Sequence, residues 1–201
     1  EIHQPFVTKH ITIGVTTFSE LVSMMLDASE FSQRLNNKLS QFLPIDMFMV
    51  GVFCLYDYDQ NRMHVVNFSA PPVIVTDRHG DLKQVVYSDC SPMGIDEQPM
   101  QYYKPSIVDI DQGDRVYLFT DGVTECCNTD GDMFGDERLV DFFEQYDGNM
   151  EPLKALTLQL VKFKQGVSQQ DDMGMLEWWR PNSATKDLRG FELDKIQQTG
   201  F

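Results

Sequence analysis

Four hydrophobic segments rich in β-branched and aromatic residues follow one another between residues 47 and 87, and they constrain the fold more than any other feature. The densest is 47–56 (MFMVGVFCLY), which predicts a buried central strand. The other three are short and bounded by polar, Gly or Pro residues: 63–68, 73–76 and 82–87. Such short connections join antiparallel neighbours, so the sequence predicts a mainly antiparallel sheet.

Helical patterns flank these strands on both sides. The predicted helices are 17–26, 31–42, 136–146 and 151–163, and further strands are predicted at 106–110, 115–120 and 173–179. The second helix places Phe31, Leu35, Leu39 and Phe42 on one apolar stripe. A 15-residue Gly/Asp/Asn loop is predicted at 121–135. The order of helices, strands, helices and strand indicates an α+β fold, with helices packed on antiparallel sheets.

Composition narrows the function classes. The chain of 201 residues carries 16 Lys+Arg against 31 Asp+Glu, a formal charge of −15, and 42% of its residues are hydrophobic. This is a globular composition whose acidity disfavours nucleic acid and anionic membrane surfaces as partners. We find no apolar run of membrane-spanning length and no signal-peptide pattern. The four cysteines form no Cys-x-x-Cys pair, so reduced thiols and a cytoplasmic location are expected.

Carboxylates stand where two apolar strands end or begin. Asp121 directly follows the segment RVYLFT and precedes Gly122, whereas Asp171 and Asp172 directly precede the last strand. If the two strands are neighbours, these carboxylates can converge at one sheet edge. Oxygen ligands and a close-approaching glycine suit Mg²⁺ or Mn²⁺. The plain alternative is that Asp121-Gly122 is an ordinary turn and Asp171-Asp172 a solvated strand cap.

Other chemistries find less support. The four histidines have no metal-ligand spacing, and the chain contains no Gly-x-Ser-x-Gly elbow, P-loop or dinucleotide fingerprint. Cys126 and Cys127 are adjacent, but no basic residue flanks them to stabilise a thiolate. We interpret them as incidental.

The segment 113–139 resembles the bacterial metal-dependent serine/threonine phosphatases of the RsbU/SpoIIE type, within the phosphatase 2C superfamily. The resemblance rests on a strand followed by Thr-Asp-Gly-Val-x-Glu at 120–125 and by Asn-x-x-Gly-x-x-Phe-Gly at 128–135. Flanking similarities are the Asp171-Asp172 step, Ala70-Pro71-Pro72, Pro92-Met93-Gly94 and the helix and strand of 31–53. Together they cover about 18–179, most of the chain.

The resemblance implies an antiparallel β-sandwich flanked by helices, with two Mn²⁺ or Mg²⁺ ions at one end. It implies that Asp121 and Asp171 bind the same ion and that Gly122 lets the backbone approach the site. Asp172 and Thr120 are expected to support these ligands without binding the ion themselves. A metal-activated water, with no covalent phosphoenzyme, would then attack phosphoserine or phosphothreonine.

The sequence departs from the family at its start. The family's Gly-Gly-Asp-Phe-Tyr-Asp-like and Asp-x-Ser-Gly-His-Gly motifs are both missing, and no acidic residue lies between Glu1 and Glu20. Two interpretations stay open: the chain lacks N-terminal strands that carry these motifs, or it is a degenerate phosphatase that binds one ion or none.

Three functional hypotheses follow. The first is a phosphatase acting on an anti-sigma-factor antagonist in stress signalling, as the output of a two-component response regulator. The second is a catalytically silent adaptor that binds a sigma-factor regulator, and the third is a signalling module joined by its tail to a further domain. We expect residues 1–179 to form the phosphatase-like domain and 180–201 a polar tail or linker. A homodimer is compatible with each hypothesis.

Overall fold

The structure is a computed structural model that describes residues 28–44, 46–95, 102–169 and 171–180. The helix predicted at 17–26 and the tail beyond residue 180 lie outside these residues. The helices are α1 (Ala28–Phe42), α2 (Asp121–Thr124), α3 (Gly135–Glu144) and α4 (Pro152–Lys164). The strands are β1 (Gly51–Asp57), β2 (Arg62–Phe68), β3 (Val73–Thr76), β4 (Leu82–Val86), β5 (Ser106–Asp109), β6 (Arg115–Phe119) and β7 (Met175–Trp179).

The strands form two antiparallel sheets. One has the order β1-β2-β5 and the other β4-β3-β6-β7. The predicted neighbours β1 and β2 pair from Gly51↔Phe68 to Asp57↔Arg62, and β3 and β4 pair in the same sense. The sequence patterns predict strands β5 and β6 but not which strands they pair with. The structure pairs β5 with β2, and β6 with β3 and β7.

Alternating side chains of the strands build separate layers of core. Val65 and Val75 lie in the cluster between the two sheets. Val66 faces the opposite way and packs in the cluster that includes α1 residues. Ile74 and Tyr117 face the cluster formed with α3 and α4. Because successive strand residues point to opposite faces, helix, sheet, sheet and helices stack in that order. This confirms the predicted α+β sandwich flanked by helices.

Strand β1 differs from the buried central strand predicted for 47–56. It begins at Gly51, all seven of its residues are half-buried, and it is the outer strand of its sheet among the described residues. Its hydrophobicity has another cause: both of its faces are covered. Phe53 stacks on Phe31 of α1 with ring centroids 4.4 Å apart, while Val52 and Cys54 pack against the core between the sheets. The hydrophobicity of a strand indicates that its two faces are buried, but it does not show whether both of its edges are paired with other strands.

The predicted stripe of α1 faces the protein only in part: Leu35 and Leu39 are half-buried against the cluster that contains Val66, but the most buried positions of the helix lie beside this stripe. The buried residues of α1 are Ala28, Ser32 and Asn36, whereas Phe42 is 72% exposed. Asn36 accepts a hydrogen bond from the backbone N–H of Gly94 at 2.9 Å, and this bond favours the inward position of a polar side chain. Across the described residues, no helix has both the length and the hydrophobicity to span a bilayer.

Leu156→Ala is expected to lower the free energy of unfolding by about 2–5 kcal/mol, because it opens a cavity in the cluster under α4. Leu156 is fully buried there, whereas Leu158 on the same helix is 46% exposed. Leu158→Ala makes the same change in helix propensity and should cost about 0.5 kcal/mol or less. Urea denaturation of both variants measures the difference. Equal losses would contradict this assignment of the core.

Candidate metal and phosphate site

Neighbouring strands bring the predicted carboxylates to one edge of the second sheet. Strands β6 and β7 are antiparallel, with Phe119 opposite Met175. Asp121 therefore leaves the sheet where Asp171 and Asp172 enter it. This juxtaposition meets the condition on which the predicted metal site depended.

Thr120 fastens the two segments together. Its backbone N–H donates to the carbonyl of Gly174 at 2.9 Å, and its hydroxyl donates to the carbonyl of Asp172 at 2.9 Å. The same hydroxyl accepts from the N–H of Gly174 at 2.7 Å. Three hydrogen bonds thus fix the start of α2 against the approach to β7, two of them made by the Thr120 hydroxyl.

Gly122 lies directly against the segment that carries the second carboxylate. A Cβ atom added to it would lie 2.5 Å from the carbonyl oxygen of Asp172 and 3.2 Å from that of Asp171. No side chain fits at these distances, since the obstacles are backbone atoms. The backbone of Gly122 therefore lies in direct contact with the backbone of Asp171 and Asp172.

Both carboxylates are held by the backbone that follows them. An oxygen of Asp121 accepts from the N–H of Gly122 at 3.0 Å, and an oxygen of Asp171 accepts from the N–H of Asp172 at 2.7 Å. The other oxygen of each carboxylate has no hydrogen-bond partner among the described residues. Such an arrangement orients one oxygen and leaves the second available to a cation.

These donors fit a hard divalent cation in part. Mg²⁺ in proteins commonly binds one or two carboxylates and keeps several waters. The close backbone contact at Gly122 leaves room at this edge only for small ligands such as an ion and its waters. Within the described ranges, however, no group of three or more His, Cys, Asp or Glu side chains is arranged to hold a metal. Asp121 and Asp171 are thus the two carboxylates at this edge that the sequence predicted as ligands, and among the described residues they are not joined by a third group into a complete metal-binding set.

The prediction of a loop over 121–135 is wrong for the first four residues, which form α2. The N–H of Val123 donates to the carbonyl of Thr120, and that of Glu125 donates to the carbonyl of Asp121. Val123 is fully buried in the cluster with α3 and α4. Burial of this side chain selects the helical turn, which the Gly- and Asp-rich composition does not reveal.

The rest of this segment is an ordered turn organised by Asn128. Its amide oxygen accepts the backbone N–H groups of Asp130 and Asp132 at 3.0 and 2.9 Å. Gly131 has φ +85°, a conformation that favours glycine. Phe134 is 1% exposed and packs edge-on against Phe163 of α4. The motif residues from 128 to 135 therefore shape the loop next to the carboxylates.

A shallow pocket opens beside the carboxylates, and the sequence patterns missed the three lining residues contributed by 164–169. Its residues are Gly122, Glu125, Cys126, Cys127, Lys164, Ser168, Gln169 and Asp171. Lys164 and Ser168 come from the end of α4 and the turn after it, outside every recognised motif. Only their position seven and three residues before the Asp171-Asp172 step could have drawn attention to them.

The fold is that of PP2C-type phosphatase domains, as similar solved structures show. The SiaA PP2C domain of Pseudomonas aeruginosa matches with a TM-score of 0.63 and 17% identity over 76% of this chain and 61% of that one. The RsbU and RsbW domains of Rv1364c from Mycobacterium tuberculosis match with 0.55 and 12%, over 79% and 47%. The phosphatase domain of SpoIIE, a cell fate determinant of Bacillus subtilis, matches with 0.54 and 12%, over 92% and 80%.

A family model described as Stage II sporulation protein E (SpoIIE) matches residues 11–178. The chain therefore belongs to the SpoIIE family. It spans less than two thirds of the first two structures named above. A comparison with curated proteins finds no significant match.

Proposed function

We propose that the chain is a metal-dependent protein serine/threonine phosphatase domain. The observation that carries this proposal is the contact of Gly122 with the carbonyls of Asp171 and Asp172, because it holds two carboxylate-bearing segments at one sheet edge. Membership of the SpoIIE family supports the same activity.

Asp121 and Asp171 are the proposed ligands of Mn²⁺ or Mg²⁺. When bound, such an ion lowers the pKa of a coordinated water and offsets the charge of a phosphate. The residues of the chain do the positioning: Thr120 and Gly122 fix the two segments, and the N–H of Asp172 orients one Asp171 oxygen.

The proposed substrate is phosphoserine or phosphothreonine on a regulatory protein of the anti-sigma-factor antagonist type. We place this activity in the bacterial cytoplasm, as the output of a response regulator. The family resemblance of the 120–135 motif supports this role, and a solved relative named SpoIIE is described as a cell fate determinant.

A second candidate is a catalytically silent adaptor that binds a sigma-factor regulator. One observation favours it: the described residues present two converging carboxylate segments but no set of three metal-binding side chains. An adaptor of this kind needs no bound ion and gains no stability from one.

The direct test is phosphate release by the full chain from a phosphoserine protein and from p-nitrophenyl phosphate. We expect turnover with Mn²⁺ that EDTA abolishes and added Mn²⁺ restores. Millimolar Mn²⁺ should also raise the melting temperature, since an ion that binds only the native state stabilises it. If the chain shows no turnover and no Mn²⁺-induced thermal shift, the adaptor is favoured. A thermal shift without turnover would keep the metal site and reject the phosphatase.

A further inference from the structure

The pocket beside Asp171 contains a lysine that no motif accounts for. We propose that Lys164 forms a phosphate subsite, in which its ammonium group binds the phosphoryl oxygens of the substrate next to the Asp121 and Asp171 carboxylates. This inference rests on the proposed function and names the group of the chain that recognises the substrate's charge.

Lys164 is positioned by contacts that lead to both carboxylate segments. It is the last residue of α4 and is half-buried. Its Nζ donates to the side-chain oxygen of Gln169 at 2.6 Å. The amide nitrogen of Gln169 in turn donates to the carbonyl of Asp171 at 2.5 Å and lies 3.5 Å from the carbonyl of Gly122. One glutamine thus links the ammonium group to the backbone on either side of the proposed ion site.

This position leaves the ammonium group with capacity for a ligand. An ammonium has three N–H donors, and the contact with Gln169 uses one of them. The remaining donors suit phosphate oxygens, which lysine binds as a compact point charge. The hydroxyl of Ser168 lines the same pocket and adds a neutral donor.

The charge of the pocket makes Lys164 distinctive. Among its lining residues, all within the described part of the chain, Lys164 is the one cation, whereas Glu125 and Asp171 are acidic. The charge of Lys164 acts on another lining residue. Burial raises the pKa of the Cys126 thiol, and the nearby Lys164 charge opposes that rise. Without Lys164, the charged side chains that a dianionic phosphate would meet in this pocket would all be carboxylates.

Lys162 provides a matched control. It lies in the same last turn of α4, is exposed and does not line the pocket. Lys164→Ala and Lys162→Ala therefore remove the same charge from the same helix end, but only the first removes it from the pocket.

The first measurement is steady-state kinetics of the full chain with Mn²⁺. We expect Lys164→Ala to raise KM for p-nitrophenyl phosphate and for a phosphoserine peptide by about 10-fold or more, the loss of one charge-assisted hydrogen bond. Lys164→Arg should recover part of the loss, and Lys162→Ala should leave KM unchanged. The wild-type KM should also rise more steeply with ionic strength than that of Lys164→Ala.

Two kinetic outcomes overturn the subsite. An unchanged KM for both substrates leaves Lys164 as a purely structural tie to Gln169. A KM that rises for the peptide alone places Lys164 against an acidic side chain of the substrate instead of its phosphate.

If the wild-type chain shows no turnover, the proposed function fails. Alkylation of Cys127 then tests separately whether phosphate binds beside Lys164. Cys127 lines the pocket and is half-exposed, whereas Cys126 is buried and burial raises the pKa of Cys54 and Cys90 to about 12. Inorganic phosphate with Mg²⁺ should slow iodoacetamide labelling of Cys127 relative to chloride at equal ionic strength. The protection should persist in Lys162→Ala and vanish in Lys164→Ala. Its absence in the wild type overturns the subsite.

Discussion

Asp121→Asn is expected to lower Mn²⁺-dependent phosphate release by about 100-fold or more. A bound metal supplies several kcal/mol of transition-state stabilisation, and each 1.36 kcal/mol is a factor of ten in rate. Asparagine keeps an oxygen that can accept the N–H of Gly122, as Asp121 does at 3.0 Å, so the turn should survive while the charge is lost. Phosphate release at a series of Mn²⁺ concentrations measures the effect.

The control for this variant is Asp130→Asn, which removes one exposed negative charge from the following loop and should leave the rate unchanged. Asp171→Asn should reduce the rate in the same way as Asp121→Asn. The double variant should lose little more than either single one, because residues that act as a unit are strongly non-additive. Normal turnover by Asp121→Asn would reject Asp121 as a metal ligand.

Gly122→Ala is expected to abolish the same activity by a steric route. The new Cβ would lie 2.5 Å from the carbonyl oxygen of Asp172 and 2.9 Å from its carbonyl carbon. Backbone atoms cannot rotate away as a side chain does, so the start of α2 and the approach to β7 must separate. Overpacking of this kind costs about 1–3 kcal/mol. We therefore expect a lower melting temperature together with the loss of the Mn²⁺-induced thermal shift.

Gly51→Ala is the matched substitution for this experiment. Its Cβ would meet only the terminal Cε of Met93, at 3.4 Å, which is an ordinary contact with a flexible side chain. Activity and metal response should stay near the wild-type values. If Gly122→Ala retains both the thermal shift and the turnover, the close approach of the two segments is not needed for the site.

Periodicity and turn chemistry suffice to predict most elements of the fold. Helix α4 was predicted at 151–163 and is Pro152–Lys164, and β3 was predicted over its observed range. Sequence patterns do not predict whether a strand lies at the edge of a sheet, or where the burial of one side chain changes the local structure. The outer position of β1 and the helical turn at 121–124 depend on long-range neighbours, which local composition does not contain.

The candidate site divides in the same way. A carboxylate after one apolar strand and two before another can be read from the chain, as can the glycine beside them. That these strands are neighbours, and that Thr120 joins them, is visible only in the pairing of β6 with β7. Lys164 carries no local signature at all, since a lysine in the last turn of a helix is common for reasons of the helix dipole.

The sequence alone thus determined the kinds of element, the acidic character that disfavours nucleic acid, and the carboxylates proposed as cation ligands. These properties follow from side-chain chemistry and short-range periodicity. The tertiary structure decided which strand ends meet, which apolar residues are buried, and which lysine lines the pocket with Asp171. Those contacts join segments such as Thr120 and Asp172 that are 52 residues apart, and only the packed core brings such segments together.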